Sequence, residues 1–228
     1  MSIKYESVVP WGRSYDEYVS MFALSKEDLR GTILGCGDGP ADFNSVLTAK
    51  GGHVISIDPI YQFSCEEIKQ RIDETCENVI EQTNQNIDKF LWTKFENVED
   101  LVKVRLNAMG NFLEDFNKGK KEGRYIEGEL PTLPPLNLHF DLALSSHFLF
   151  LYSDNLTYEF HERSINSILE VADELRIFPI LDLNINRSKY LDRIIERFLS
   201  MNYLVEERLV DYEFQKGGNR MLQICKSK

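Results

Sequence analysis

Cationic side chains are scarce in this chain: 26 Lys and Arg stand against 37 Asp and Glu, for a net charge of −11. A face that tracks nucleic-acid phosphates needs clustered cations, because counterion release drives that binding. Only short basic pairs such as Lys120-Lys121 occur, in a stretch that reads as a solvated loop, so composition argues against a nucleic-acid partner. Cysteine is scarce too. Cys36, Cys65, Cys76 and Cys225 form no Cys-x-x-Cys pair, so neither a metal cluster nor a disulfide framework has the spacing it wants. We expect no bound metal, and reduced thiols in the cytoplasm. Long apolar runs are missing: no stretch approaches the roughly 20 apolar residues that span a bilayer. The apolar block at 140–152 is interrupted by Asp141, Ser145, Ser146 and His147. Residues 1–10 hold no apolar run of the kind a secretory leader needs.

What is present is an apolar fraction of 43% over 228 residues, enough core for one α/β domain with an insertion. The first clear strand is Thr32-Ile33-Leu34, running into Gly35-Cys36-Gly37-Asp38-Gly39. A helix should follow from about Pro40, since proline's missing N–H costs nothing in a first turn. Residues 53–57 read as a second strand ending at Asp58-Pro59. A strand–helix–strand opening of this kind builds parallel sheets with helices on both faces.

Ser64-Cys65-Glu66-Glu67 has capping-box form, and Ile68, Ile72, Cys76, Val79 and Ile80 follow at helical spacing. A further helix begins near Asn97. Two long helices stand where one crossover would suffice, and we assign the surplus, about 88–123, to a helical insertion. Strands are expected at 124–130, 140–145 and 175–183, with helices at 154–174 and 188–201. Strands at 203–215 and 220–226, joined around Gly217-Gly218, close the chain as an antiparallel hairpin. The expected fold is Rossmann-like α/β, a mostly parallel seven-stranded sheet with that C-terminal hairpin, in a single domain spanning 1–228 with an N-terminal arm at 1–31.

The chemistry gathers at Ile-Leu-Gly-Cys-Gly-Asp-Gly and at the acid after the next strand. Gly35, Gly37 and Gly39 let the backbone turn sharply and pass close to a ligand with no Cβ in the way. Asp58 is placed to accept hydrogen bonds from two ribose hydroxyls. A tight turn and an ordinary strand-end Asp would account for each part alone. Strand, glycines, helix, strand and acid arriving in this order favour nucleoside binding. A dinucleotide fingerprint wants a third glycine where Pro40 stands, so the spacing is not that of a dehydrogenase.

From Thr32 to Lys226 the chain resembles the class I S-adenosylmethionine-dependent methyltransferases, in motif and in order of elements. It is similar in particular to bacterial methyltransferase-like proteins of unassigned substrate, which share the Trp11-Gly12-Arg13-Ser14-Tyr15 segment. The resemblance implies S-adenosyl-L-methionine as cofactor. It places Gly35, Cys36, Gly37 and Gly39 beside the methionine part and ribose, and Asp58-Pro59 at the ribose. It places Glu129 near the adenine, and Ser145 and Ser146 beneath the sulfonium. It further implies that the arm folds over the methionine end, where Arg13 can pair with the carboxylate and Tyr15 or Tyr18 can cover the sulfonium. The plainer alternative is an arm whose aromatic groups only pack on the sheet.

Two departures from the family pattern matter. Ile33 stands where an acid two residues before the first glycine is common, leaving the cofactor ammonium to a backbone carbonyl or water. The fourth strand ends Ser145-Ser146-His147-Phe148, without the proline of many enzymes that methylate nucleobase amines. His147 is the one acid/base candidate there, and its plainer reading is a hydrogen-bonded structural histidine. Methyl transfer needs a base only when the acceptor holds its proton at working pH. The expectation is methyl transfer to a small-molecule acceptor, with a non-catalytic cofactor-binding protein as the rival and the oligomeric state open.

Overall fold

A computed structural model describes residues 9–227; the first eight residues of the expected arm, and with them most of the stretch read as lacking a leader, lie outside the described residues. The chain runs through α1 (Tyr15–Met21), β1 (Thr32–Cys36), α2 (Phe43–Ala49), β2 (His53–Ile57), α3 (Cys65–Gln85), α4 (Val98–Lys121) and β3 (Tyr125–Ile126). It continues through β4 (Phe140–Ser146), α5 (Tyr158–Val171), β5 (Ala172–Phe178), α6 (Leu191–Ser200), β6 (Tyr203–Leu209) and β7 (Arg220–Lys226). The strands form one sheet in the order β3-β2-β1-β4-β5-β7-β6. Neighbours run parallel except around β7, which is antiparallel to both β5 and β6. The mostly parallel Rossmann-like sheet read from the sequence is the sheet observed.

Chain order reverses direction between β1 and β4, where Gly35 pairs with Leu144. At such a switch point the loops leaving the two strands part and open a crevice beyond their C-terminal ends. Alternate residues of the central strands serve opposite layers. Ile33, Leu142 and Leu144 pack with Tyr18, Met21 and Phe43 under α1 and α2, whereas Leu34 and Ala143 join Ile165, Ile168 and Phe198 under α5 and α6. Burial on both faces explains why these strands read as apolar runs. No helix among the described residues is long and apolar enough to cross a membrane.

Local chemistry places the helix starts. Ser14 with Glu17 and Ser64 with Glu67 form reciprocal capping boxes on α1 and α3, and the Asn97 side chain caps α4. In α4, Leu101, Ala108, Met109, Phe112 and Phe116 recur at helical spacing and are buried. Phe112 and Phe116 meet Tyr61, Ile68 and Tyr125 in a third apolar cluster. The segment expected as an insertion therefore contains the helix that leads the chain back into β3.

Several boundaries differ from expectation. The helix after the glycine loop starts at Phe43, not Pro40. The Asp42 carboxylate is engaged elsewhere, accepting from the Tyr15 backbone N–H at 2.6 Å and from Asn111 Nδ2 at 3.0 Å. β3 has two residues where seven were expected, because its one partner β2 ends at Ile57. β5 begins directly after α5 and ends at Phe178, five residues before the expected end. Thr157 caps α5, so that helix starts at Tyr158 and not at 154, and α6 starts at Leu191 and not at 188. β6 stops at Leu209, and the hairpin connection is not a tight turn. Residues 210–219 instead form a loop that carries Tyr212 and Phe214 inward and bridges Phe90 to Gln215.

Candidate active site

Beyond the C-terminal ends of β1, β2 and β4 lies a cleft of about 500 Å³, within the range of about 300–1,000 Å³ that small-molecule sites occupy. Cys36, Gly37, Asp38, Gly39 and Pro40 form its floor. Asp58 and Pro59 stand on one side, Gly128, Glu129 and Leu130 close the far end, and Ser146, His147 and Phe148 form the other side. Val9, Pro10, Trp11 and Arg13 of the arm cover it together with Tyr18 of α1.

The glycine loop turns because Gly37 and Gly39 hold φ of +70° and +54°, the left-handed region that favours glycine. Their surroundings differ. A Cβ on Gly37 would lie 3.2 Å from the Phe148 ring, whereas one on Gly39 would meet no atom within 4 Å. Gly39 lines the cleft, so it is the glycine whose missing side chain leaves room for a ligand. Gly35 serves the loop itself: a Cβ there would fall 1.7 Å from Asp38 Oδ2.

Asp58 is buried, and its two oxygens accept from the backbone N–H groups of Gly39 at 2.8 Å and Ile60 at 2.9 Å. Burial raises its pKa, the two N–H donors offset part of that, and the result is about 7. Each oxygen keeps a lone pair for a further donor. Asp38 is pushed up to about 6 by burial, against hydrogen bonds from Ser56 Oγ at 2.6 Å and Tyr18 Oη at 2.9 Å.

His147 sits at the mouth with φ of +52°, fixed by its N–H donating to the Phe178 carbonyl at 2.7 Å. Its Nδ1 lies 3.0 Å from Ser146 Oγ. Burial, and then the Arg13 and Arg105 cations, hold its pKa well below the usual histidine value, so the ring is neutral at pH 7. When Nδ1–H donates to Ser146, the lone pair is on Nε2.

A second, smaller chamber of about 110 Å³ adjoins the cleft and shares Val9, Trp11, Arg13 and His147 with it. Its other walls include Val79 and Thr83 of α3, Phe90, Leu101 and Arg105 of α4, Tyr152, Phe178, Tyr212 and Phe214. Arg105 is 1% exposed and pairs with Glu17, which also accepts from Tyr212 Oη at 2.7 Å. Burial works to raise the Glu17 pKa, but Arg105 and Arg13 prevail and hold it at about 2. Among the described residues Arg13 has no ion-pair partner. It donates there to the Trp11 carbonyl alone, and its Nε is buried with nothing to bond, as is Arg105 Nε.

Cys36, Gly37, Gly39, Asp58, Pro59, Glu129, Ser146, His147 and Arg13 thus meet in one cleft. Gly35, Ser145 and Tyr15 do not line it. In β4 successive side chains face opposite sides, so Ser146 reaches the cleft and Ser145 turns into the core, its Oγ unpartnered. Tyr15, the first residue of α1, stacks on Phe43 at 5.7 Å, and Tyr18, one turn on, takes the inward position. Sequence reading passed over Asp38, although it stands inside the motif, and Arg105, although it shares the buried stripe of Leu101, Ala108 and Phe112.

No protein-family profile matches this chain. The uncharacterized protein MJ0045 of Methanocaldococcus jannaschii is 33% identical over 227 residues, covering 97% of this chain and 98% of that protein. Among solved structures, the magnesium protoporphyrin IX methyltransferase of Synechocystis PCC 6803 with bound SAM is 12% identical, with a TM-score of 0.49 over 93% of this chain and 78% of that one. A TehB-like SAM-dependent methyltransferase from Corynebacterium glutamicum is 15% identical, with a TM-score of 0.47 over 87% and 81% of the two chains.

Proposed function

We propose that this chain, which belongs to the same family as the Methanocaldococcus jannaschii protein, is an S-adenosylmethionine-dependent methyltransferase acting on a small-molecule acceptor. The observation that carries the reading is the cleft at the β1/β4 switch point, in which an open glycine loop faces a buried carboxylate and a second chamber adjoins. The donors and acceptors present suit the cofactor. Asp58 has lone pairs for two ribose hydroxyls, and Gly39 leaves space for the nucleoside. Glu129 stands at the end where the adenine amino group would lie. Asp38, folded over Gly35, supplies a carboxylate at the methionine end, where Ile33 leaves none in the strand.

When bound, the cofactor would supply an electrophilic methyl group on a positively charged sulfur able to leave with the C–S electron pair. The chain's own part is to orient and to move one proton. Trp11, Arg13 and Tyr18 exclude water from above, which strengthens every electrostatic contact inside. In the tautomer whose Nδ1–H donates to Ser146 Oγ, 3.0 Å away, His147 would take at Nε2 the proton the acceptor loses. A chamber opening beside that base supports turnover over a purely binding role. A net charge of −11 favours a small acceptor over nucleic acid, and four unpaired cysteines suit the cytoplasm.

Calorimetry with S-adenosylhomocysteine and NAD tests the reading. Tight binding of the first and none of the second is expected, with a rise in melting temperature by mass action. Binding of NAD alone would overturn it.

A further inference from the structure

Resting on the methyl-transfer reading, a second question is what kind of acceptor the chamber takes. Its walls are largely aromatic, from Phe90, Phe178, Tyr212 and Phe214, and its volume is about 110 Å³. A cavity of about 150 Å³ holds a benzene ring. This one is smaller, so it suits the charged end of a small molecule whose remainder lies against the residues shared with the cleft, Arg13 and His147. The charge of the chamber is out of keeping with a protein of net charge −11. Two guanidinium groups line it, Arg13 and Arg105, and among the described residues one carboxylate, Glu17, is ion-paired there, with Arg105.

That carboxylate is committed. Glu17 accepts from Arg105, from the Ser14 backbone and from Tyr212, which leaves the Arg13 fork with the Trp11 carbonyl alone. A buried cation whose nearby carboxylate is bonded elsewhere is expensive, and both guanidinium groups lining the chamber keep a buried Nε with no partner. An arriving anion would supply what is missing. Guanidinium matches a carboxylate through two parallel hydrogen bonds, which sets orientation as well as attraction.

We infer that the chamber is an anion subsite, in which the Arg13–Arg105 pair seats the carboxylate of a small acceptor whose reacting atom faces His147 at the doorway. A carboxylate reaching Arg13 has two possible sources, the acceptor and the methionine end of the cofactor. The acceptor is favoured because the second guanidinium, Arg105, lines the chamber and not the cleft. Burial and the neighbouring Arg105 lower the Arg13 pKa to about 10, which keeps the fork cationic at pH 7.

The test titrates acetate and benzoate, with acetamide and benzamide as neutral counterparts, into protein saturated with S-adenosylhomocysteine. Benzoate is expected to bind about tenfold or more tightly than benzamide, as a charge-assisted pair would. Arg13→Met should abolish that preference and leave the melting temperature equal or higher. Arg13→Lys should keep part of the preference. If neither carboxylate outbinds its amide while S-adenosylhomocysteine binds wild type normally, the inference falls and the methyl-transfer reading stands. If Arg13→Met weakens S-adenosylhomocysteine strongly, and its analogue methylthioadenosine, which lacks the carboxylate, hardly at all, the arginine serves the cofactor and the inference also falls. Failure of S-adenosylhomocysteine to bind wild type removes both.

Discussion

One unbroken stretch, residues 32–58, supplies the floor of the cleft and the acid that faces it. The chamber beside it takes its walls from α3, α4, the end of β5 and the loop after β6. In the first, backbone turns and two N–H donors do most of the positioning. In the second, long side chains from distant segments meet around one carboxylate, Glu17. The floor of the cleft is therefore set by local chain geometry, and the chamber by tertiary packing. A ligand that spans both reads a rigid floor on one side and a charge balance on the other.

The sharpest way to break this comparison is to unbalance the chamber. Arg105→Met leaves Glu17 buried without its main cation, and loss of one partner of such a pair costs about 3–5 kcal/mol. Denaturant unfolding should read that loss as a lower midpoint. A loss under about 1 kcal/mol would mean that the pair does not hold the chamber together. The corresponding change in the cleft is smaller in stability and larger in binding. Asp58→Ala should weaken S-adenosylhomocysteine by about 1.5–3 kcal/mol, because hydrogen bonds to a charged group disappear. Unchanged calorimetric affinity in the folded variant would move the nucleoside elsewhere.

Acidity separates the regions next. Burial raises the Asp58 carboxyl to about 7 and Asp38 to about 6, so the folded protein binds protons more tightly than the unfolded chain. Their contribution to stability is full below the ordinary aspartate value of 3.8 and is lost as pH rises through 6 and 7. Glu17 acts in the opposite sense, adding stability above 4.5 that is lost as pH falls through about 2. Ribose hydroxyls donate to the ionised acid, so S-adenosylhomocysteine should bind up to about tenfold tighter at pH 8 than at pH 6. The slope should vanish in Asp58→Asn, and its survival there would assign it to another group. The smallest effects discriminate within α1. Tyr18→Phe removes the bond to Asp38 and should cost about 0.5–1.5 kcal/mol of cofactor affinity. Tyr15→Ala, outside the cleft, should change that affinity by less than about 0.5 kcal/mol. Equal effects of the two would put the α1 register in error.

The same contrast explains what could be read from residues alone. The glycine loop, the strand after it and Asp58 are neighbours in sequence, so their order and spacing carry the geometry. Ser146 and Ser145 were both expected beneath the ligand, yet strand alternation admits only one, and fixing which one required the register of β4 on β1. Tyr15 and Tyr18 pose the same ambiguity at helical period, resolved by the start of α1 after its Ser14 cap. Arg105 was legible in principle, since it falls on the apolar stripe of α4 where a solvated charge has no place. Its partner was not, because nothing in the spacing of residues 17, 105 and 212 announces that they meet. The length of β3 and the inward loop at 210–219 escaped for a like reason, both being decided by what the neighbouring strand leaves unpaired.

Glu17 also sets a timetable. It sits in the first helix, while the hydroxyl it accepts from on Tyr212 lies 195 residues further on. A ribosome adding about 5–20 residues per second needs on the order of 10–40 s to span that interval. Through that time the carboxylate can cap its own helix through Ser14 and, once α4 emerges, take Arg105. The sheet is unfinished over the same period, because β7 inserts between β5 and β6 only when the last residues arrive. The glycine loop and Asp58 belong to the early part of the chain, so the floor of the cleft can form well before its neighbour has walls. The segments that floor the cleft are therefore synthesised well before the last of those that wall the chamber.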